Sequence, residues 1–259
     1  MINIIIDNLY VYILVFVRIA GIIFFNPVMS RNNIPRMARV SLVLLSSIII
    51  APVTTVSSDF SADRISLVIS IGKELFIGFI LAYVFNVFYY MIFTAGEIMD
   101  MQFGFSMAKV MDPGSNVQAA ITGNLFNIFF IGYIFATNTH ALLIRLTVYT
   151  YDVIPVGAGN LVIDKLPEFV FEMFCTVFTL AMHLAFPFVA VELVVEMCLG
   201  IMMKLIPQIH VFVINMQLKI LISIVMIYML ANPIAGFIDN YTSLMFEYMQ
   251  NVLYTITGS

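Results

Sequence analysis

The few side chains able to do chemistry here lie inside apolar runs. Arg18 sits near the middle of Leu9–Met29, Lys73 and Glu74 in Ile65–Ala95, Glu192 and Glu196 in Phe169–Leu199, and Lys219 in Val211–Ile234. A charge at the centre of an apolar helix costs at least about 2.5 kcal/mol on membrane-insertion scales, so each must face protein, water or an opposite charge. Lys73 and Glu74 are adjacent and point about 100° apart around a helix, so each needs a partner on another segment or subunit. Glu192 and Glu196, four apart, share a face and repel, which calls for partners or partial protonation. Two chemistries fit this set. The charges are pins that hold helices or subunits together where lipid offers no hydrophobic drive, or they are a relay for protons or ions. The pins are preferred, because the chain shows no inverted repeat and has few segments.

A second constellation lies between the long runs, in the polar and turn-rich island Glu97–Gln118. Glu97 and Asp100 are three apart, so a helix would place both carboxylates on one face. Gly104 and the turn Asp112-Pro113-Gly114-Ser115 then interrupt that helix twice. The island also carries Met99, Met101, Phe103, Phe105, Met107, Val110 and Met111, too much apolar surface for a segment facing water. It is expected to pack against protein or line a closed pore as a re-entrant or gating loop, the alternative being an ordinary connection.

The elements that position these groups follow from composition. The chain has 259 residues, 62% of them hydrophobic and 10% charged, with mean hydropathy +1.06. A water-soluble domain of that composition would expose large apolar patches, so the chain reads as an all-α polytopic membrane protein with about six apolar segments. A net charge of −4, spread along the chain, gives no support to nucleic-acid binding. Cys175 and Cys198 sit inside apolar runs and read as buried small hydrophobes. The N-terminus lacks a basic leader and a small-residue cleavage site, and its apolar run is expected to stay in the mature protein.

In order, the first run ends at Asn26-Pro27 and meets a basic connector, Ser30–Arg39. The second run is Val40–Val56. The third, Ile65–Ala95, is longer than a perpendicular span needs, with Gly72 and Gly78 allowing close helix approach. The fourth, Ile121–Leu146, is interrupted by Ala136–His140 and suggests a hairpin or broken helix. The fifth is expected to bend at Pro187. Lys204–His210, with Pro207 and Gln208, is a turn before the sixth run, and Phe237–Ser259 is an amphipathic helix candidate. With the N-terminus outside, Arg31, Arg36, Arg39, Lys109 and Lys204 are cytoplasmic against Arg64, Arg145 and Lys165 outside, a modest positive-inside preference.

Catalytic signatures are absent from the sequence: no phosphate loop, no nucleophile elbow and no zinc-protease helix. His140, His183 and His210 are dispersed and read as structural hydrogen-bonders, so no catalytic residue, metal or cofactor is expected. The 18 methionines are mostly core filling, but Met99, Met101, Met107 and Met111 cluster where soft side chains could seal a deformable pore.

Several patterns coincide in order: Arg18, Pro27, Pro35-Arg36 and Pro52; Lys73-Glu74 with Gly78; Gly96, Asp100, Gln102, Gly104 and Asp112-Pro113; His140; then Glu192, Glu196, Gly200 and Pro207-Gln208. Together they resemble the FliR family of type III secretion export-gate proteins, over nearly the whole chain. After Pro207-Gln208 this chain departs from the family pattern, with His210, Asn215 and Gln217. The resemblance implies one subunit assembled with FliP-like and FliQ-like proteins, in contact with FlhB-like and FlhA-like proteins, exported flagellar polypeptides and lipid. It implies bent helical hairpins in an assembly at the bacterial inner membrane and flagellar basal body, partly above the bilayer plane. Residues 1–168 would be the FliP-like part and 169–259 the FliQ-like part of a single membrane domain. The loop Gly104–Gln118, including Phe105, Ser106, Met107, Met111, Asp112, Pro113 and Gly114, would be a plug, with Arg18, Lys73, Glu74, Glu97, Asp100, Glu192, Glu196 and Lys219 as buried pins. Injectisome relatives share the architecture, and an ion-coupled transporter is the remaining alternative.

Overall fold

The computed structural model describes residues 2–31, 34–54, 64–105, 120–157, 161–205 and 211–258, of which 2–8, 64 and 211–214 are described by their backbone alone. Eight α-helices are described: α1 (Ile2–Phe24), α2 (Arg36–Ile50, followed by the 3-10 turn Ala51–Val53), α3 (Arg64–Phe103), α4 (Ile121–Ala136), α5 (Thr139–Val153), α6 (Leu166–Leu205), α7 (Val211–Met229) and α8 (Ala231–Thr257). The fold is all-α.

Local chemistry sets the boundaries. After α1 the Asn26 side chain accepts the backbone N–H groups of Val28 and Met29 at 2.9 and 3.3 Å, an Asx turn leading through Pro27. The 40-residue α3 is about 60 Å long at 1.5 Å per residue. It stops where Gly104 takes φ +81°, the left-handed conformation that commonly closes a helix. The break between α4 and α5 falls at Asn138, whose φ is +57°, and the two helices bend by 75° there. Between α7 and α8 the bend is 63°. Pro233, in the first turn of α8, has no N–H to offer the Met229 carbonyl, which accounts for that break. Pro187, by contrast, lies inside a continuous 40-residue α6.

Among the described residues three helices are long and apolar enough to cross a membrane, Arg36–Val53, Ile65–Phe103 and Leu166–Leu205; α4 with α5 and α7 with α8 qualify as bent pairs, and Leu9–Phe24 is a shorter apolar helix. The boundaries differ from the sequence reading in several places. The third run continues as helix through Glu97–Phe103, because nothing before Gly104 breaks it, so the first third of the island belongs to α3. The sixth run ends at Leu230 rather than Ile234, and the amphipathic helix expected over Phe237–Ser259 is present but starts earlier, as a 27-residue helix from Ala231 to Thr257.

The chain forms two compact units, one of Met1–Phe88, Ile134–Phe174 and Ser243–Ser259, the other of Tyr89–Tyr133 and Cys175–Thr242. In the first, Leu14, Val15 and Ile19 of α1 pack with Val43, Ile50, Ala51, Tyr151 and Val156. The end of α8 adds Met245, Met249, Val252, Leu253 and Ile256, buried at helical spacing. In the second, Phe103 meets Phe188 edge-on at 5.8 Å and Phe130 meets Tyr241 at 6.3 Å. α2 and α6 leave most of their apolar surface uncovered. Cys175 and Cys198 lie on that open surface of α6, a correction to the buried reading: an apolar run does not show which side of its helix is covered.

Candidate functional site

Arg18 is fully buried and its guanidinium organises three segments of the first unit. Nε donates to Glu74 Oε2 of α3 at 2.5 Å. Nη1 donates to the carbonyls of Thr150 and Ile154 at 3.0 and 2.9 Å and lies 3.3 Å from the Thr150 hydroxyl. Ile154 is the C-cap of α5, so an arginine from α1 satisfies a terminal carbonyl and places its charge at the negative end of the helix. The guanidinium carbon lies 4.2 Å over the Tyr151 ring, and the Tyr151 hydroxyl donates to the Val15 carbonyl at 3.3 Å. Glu74 Oε1 accepts the Gly157 N–H at 3.0 Å.

Small residues make this meeting possible. Gly78, one turn after Glu74 on the same face of α3, lies at the crossing with α1. A Cβ there would overlap the Arg18 carbonyl oxygen and stand 3.0 Å from the Gly21 Cα. The spacing Lys73-Glu74-x-x-x-Gly78 therefore couples a close helix approach to a charge placed for the arginine that the approach brings in. Gly72 meets nothing within 4 Å and takes no part. The second unit repeats the arrangement in reverse order. At Gly96 a Cβ would overlap Gly123 of α4 and fall 2.8 Å from the Thr122 carbonyl carbon. One turn on, buried Asp100 accepts the Thr122 N–H at 3.0 Å, placing a carboxylate at the positive start of α4. Its other oxygen is buried without a partner among the described residues.

Between α6 and α7, Lys219 donates to Glu196 in an ion pair. Glu192 is fully enclosed, and neither of its carboxylate oxygens has a hydrogen-bond partner among the described residues. Tyr133 donates to Asp239 elsewhere in the second unit.

The expected pins therefore separate into groups. Arg18 meets Glu74, and Lys219 meets Glu196 beside Glu192. Asp100 holds a helix start. Lys73 is half-buried. Glu97 corrects the expectation of two buried carboxylates on one face: it is exposed while Asp100 is enclosed, since three residues of helix turn through 300° and the edge of the packed face falls between them. Glu196 is also open, its side chain 50% exposed. His140 stacks on Phe135 at 5.4 Å and its Nδ1 has no hydrogen-bond partner among the described residues, so it is a packed ring rather than a hydrogen-bonder at that atom. Met99 is buried whereas Met101 is 70% exposed. Gly104 and Phe105 close α3, with Phe105 edge-on to Phe103 at 6.0 Å. Ser106, Met107, Met111, Asp112, Pro113, Gly114 and Gln118 of the loop, and Pro207 and Gln208 of the turn, lie outside the described residues. Sequence reasoning missed Gly21, Gly123 and the carbonyls that Arg18 serves. The glycines carry a signal only once the crossings are known, and backbone carbonyls carry none.

Comparison with known proteins bears on what these devices serve. The sequence model of a family described as bacterial export proteins, family 1, matches residues 9–245. The chain is 28% identical over 253 residues to the flagellar biosynthetic protein FliR of Bacillus subtilis, covering 97% of each. It is 24% identical over 246 residues to the protein of that name from Escherichia coli, covering 95% of this chain and 93% of the relative. It is also 25% identical over 213 residues to the Yop proteins translocation protein T of Yersinia pestis, covering 82% of each.

Proposed function

The chain belongs to the bacterial export proteins, family 1, and on that premise we propose that it is a core subunit of the flagellar type III export gate. It helps to form and close the channel through which unfolded flagellar polypeptides leave the cell, and flagellum assembly requires it. The observation that carries the flagellar reading is the match to flagellar relatives over 97% and 95% of the chain, against 82% for the Yersinia translocation protein. An injectisome subunit is the second reading, supported by that same relative.

In this reading the protein is not an enzyme and binds no cofactor. Its partners are FliP-like and FliQ-like subunits, with FlhB-like and FlhA-like proteins nearby, at the inner membrane and basal body. Residues 1–168 take the FliP-like part and 169–259 the FliQ-like part. Uncovered apolar surface on α2 and α6 supports a chain that meets lipid or other subunits. The loop Gly104–Gln118 closes the path, and the buried charges fix the helices around it.

Purifying the tagged protein in mild detergent from its native cell, followed by mass analysis, tests the assignment. FliP-like and FliQ-like companions are expected, and deleting the gene should abolish flagella. A solitary species, or unimpaired flagella with failed secretion through an injectisome, would overturn the flagellar assignment. Deleting Met107–Gln118 should make the membrane leak ions; unchanged leakage with unchanged export would remove the plug.

A further inference from the structure

The α6–α7 contact places its one lysine on the carboxylate that needs it less. Glu192 is fully enclosed, and among the described residues both its oxygens are unpartnered. One turn along α6, Glu196 has half its side chain open, yet it holds Lys219. The charges acting at Glu192 are Lys219 and Glu196, two carboxylates sharing one ammonium. An enclosed carboxylate without a counter-charge is costly, whereas a half-open one is largely screened. The flank beside Glu196 is apolar and uncovered, with Leu193 46%, Met197 63% and Met203 48% exposed. An open carboxylate in such a flank matches a neighbour that is itself apolar and brings a single cation.

We propose that this cluster is an ion-pair exchange linked to assembly: an apolar helix of a neighbouring subunit delivers a lysine or arginine to Glu196, and Lys219 passes to Glu192. Glu192 and Glu196 are separated by about 6 Å of helix rise, a distance a four-carbon lysine stem covers by changing rotamer. After the exchange each carboxylate has one cation, so the carboxylate that the solitary chain leaves without one becomes a specificity element for a cationic partner. The inference rests on the reading of the chain as a gate subunit.

The test uses Glu192→Gln and Glu196→Gln in the full-length protein, measured alone in detergent and in the complex recovered from the native cell. Glu192→Gln is expected to leave the melting temperature of the isolated protein unchanged or higher and to reduce recovery of the complex about tenfold, equivalent to 1.4 kcal/mol. Glu196→Gln should lower both. A photo-crosslinking residue at Met197 should capture a peptide of another subunit that carries Lys or Arg within an apolar segment. Glu192→Gln that lowers the isolated protein's melting temperature as much as Glu196→Gln does, or a crosslink to phospholipid or to a second copy of this chain, would overturn the exchange. Failure to recover any wild-type complex would overturn the gate reading and the exchange with it. A wild-type complex indifferent to Glu192→Gln would overturn the exchange alone.

Discussion

Removing both members of the Arg18–Glu74 pair should cost no more than removing either one alone. The side chains are 0% and 2% exposed, so neither charge is screened by solvent, and loss of one partner from a buried pair costs about 3–5 kcal/mol. Arg18→Met leaves Glu74 with only the Gly157 N–H and strips the Ile154 carbonyl of its donor. Glu74→Leu leaves a buried guanidinium held by two carbonyls and the Thr150 hydroxyl, with no counter-charge among the described residues. The double variant removes both charges and still orphans the Ile154 carbonyl and Gly157 N–H, each worth about 1–3 kcal/mol. It should therefore be about as stable as either single variant, a coupling of roughly 3–5 kcal/mol. At about 2–4 °C per kcal/mol for a chain of this size, each single variant should melt roughly 6–20 °C lower. Thermal unfolding of the purified protein, which has no tryptophan, followed by loss of helix content or by light scattering, gives the cycle. Additive single and double effects would refute the argument, as would wild-type stability in Arg18→Lys, which offers a point charge in place of the planar donor fork that reaches α3 and α5 together.

The glycines of α3 give a contrast within one helix: Gly78→Ala should lose about 1–3 kcal/mol by overpacking against α1, while Gly72→Ala, in open space, should gain about 0.5–1 kcal/mol. Equal melting shifts would contradict the crossing. Asp100→Ala should lose about 1.5–3 kcal/mol with its charge-assisted bond to the start of α4, and exposed Glu97→Ala should stay within about 0.5 kcal/mol of wild type. Gly104→Ala meets no neighbour, so its cost of about 1–2 kcal/mol comes from φ alone. Gly104→Asn, which tolerates that conformation, should recover most of it in the same melt.

Much of the architecture was legible because its signals are local. Apolar run length announced the spans, and a glycine before a turn marked the end of α3. The need of Arg18 and Glu74 for partners was also readable, since a charge inside an apolar run has few refuges. Their pairing was not, because 56 residues separate them and the remaining acceptors are backbone carbonyls, which every residue possesses. Gly72 and Gly78 look alike in sequence, and only the line along which α1 crosses α3 tells them apart. Glu97 and Asp100 failed as a buried pair for a related reason: spacing gives their angle around the helix but not where cover ends.

The reach of Arg18 also sets a timetable for biogenesis. Glu74 is made 56 residues later and Ile154 136 residues later. At about 5–20 residues per second, the arginine waits roughly 3–11 s for its carboxylate and 7–27 s for its carbonyl. During that interval α1 is an apolar segment with an uncompensated charge, poorly suited to lipid by itself. The first helix made is thus among the last to settle, and a nascent chain stalled before Glu74 should slip from the bilayer or remain with the insertion machinery.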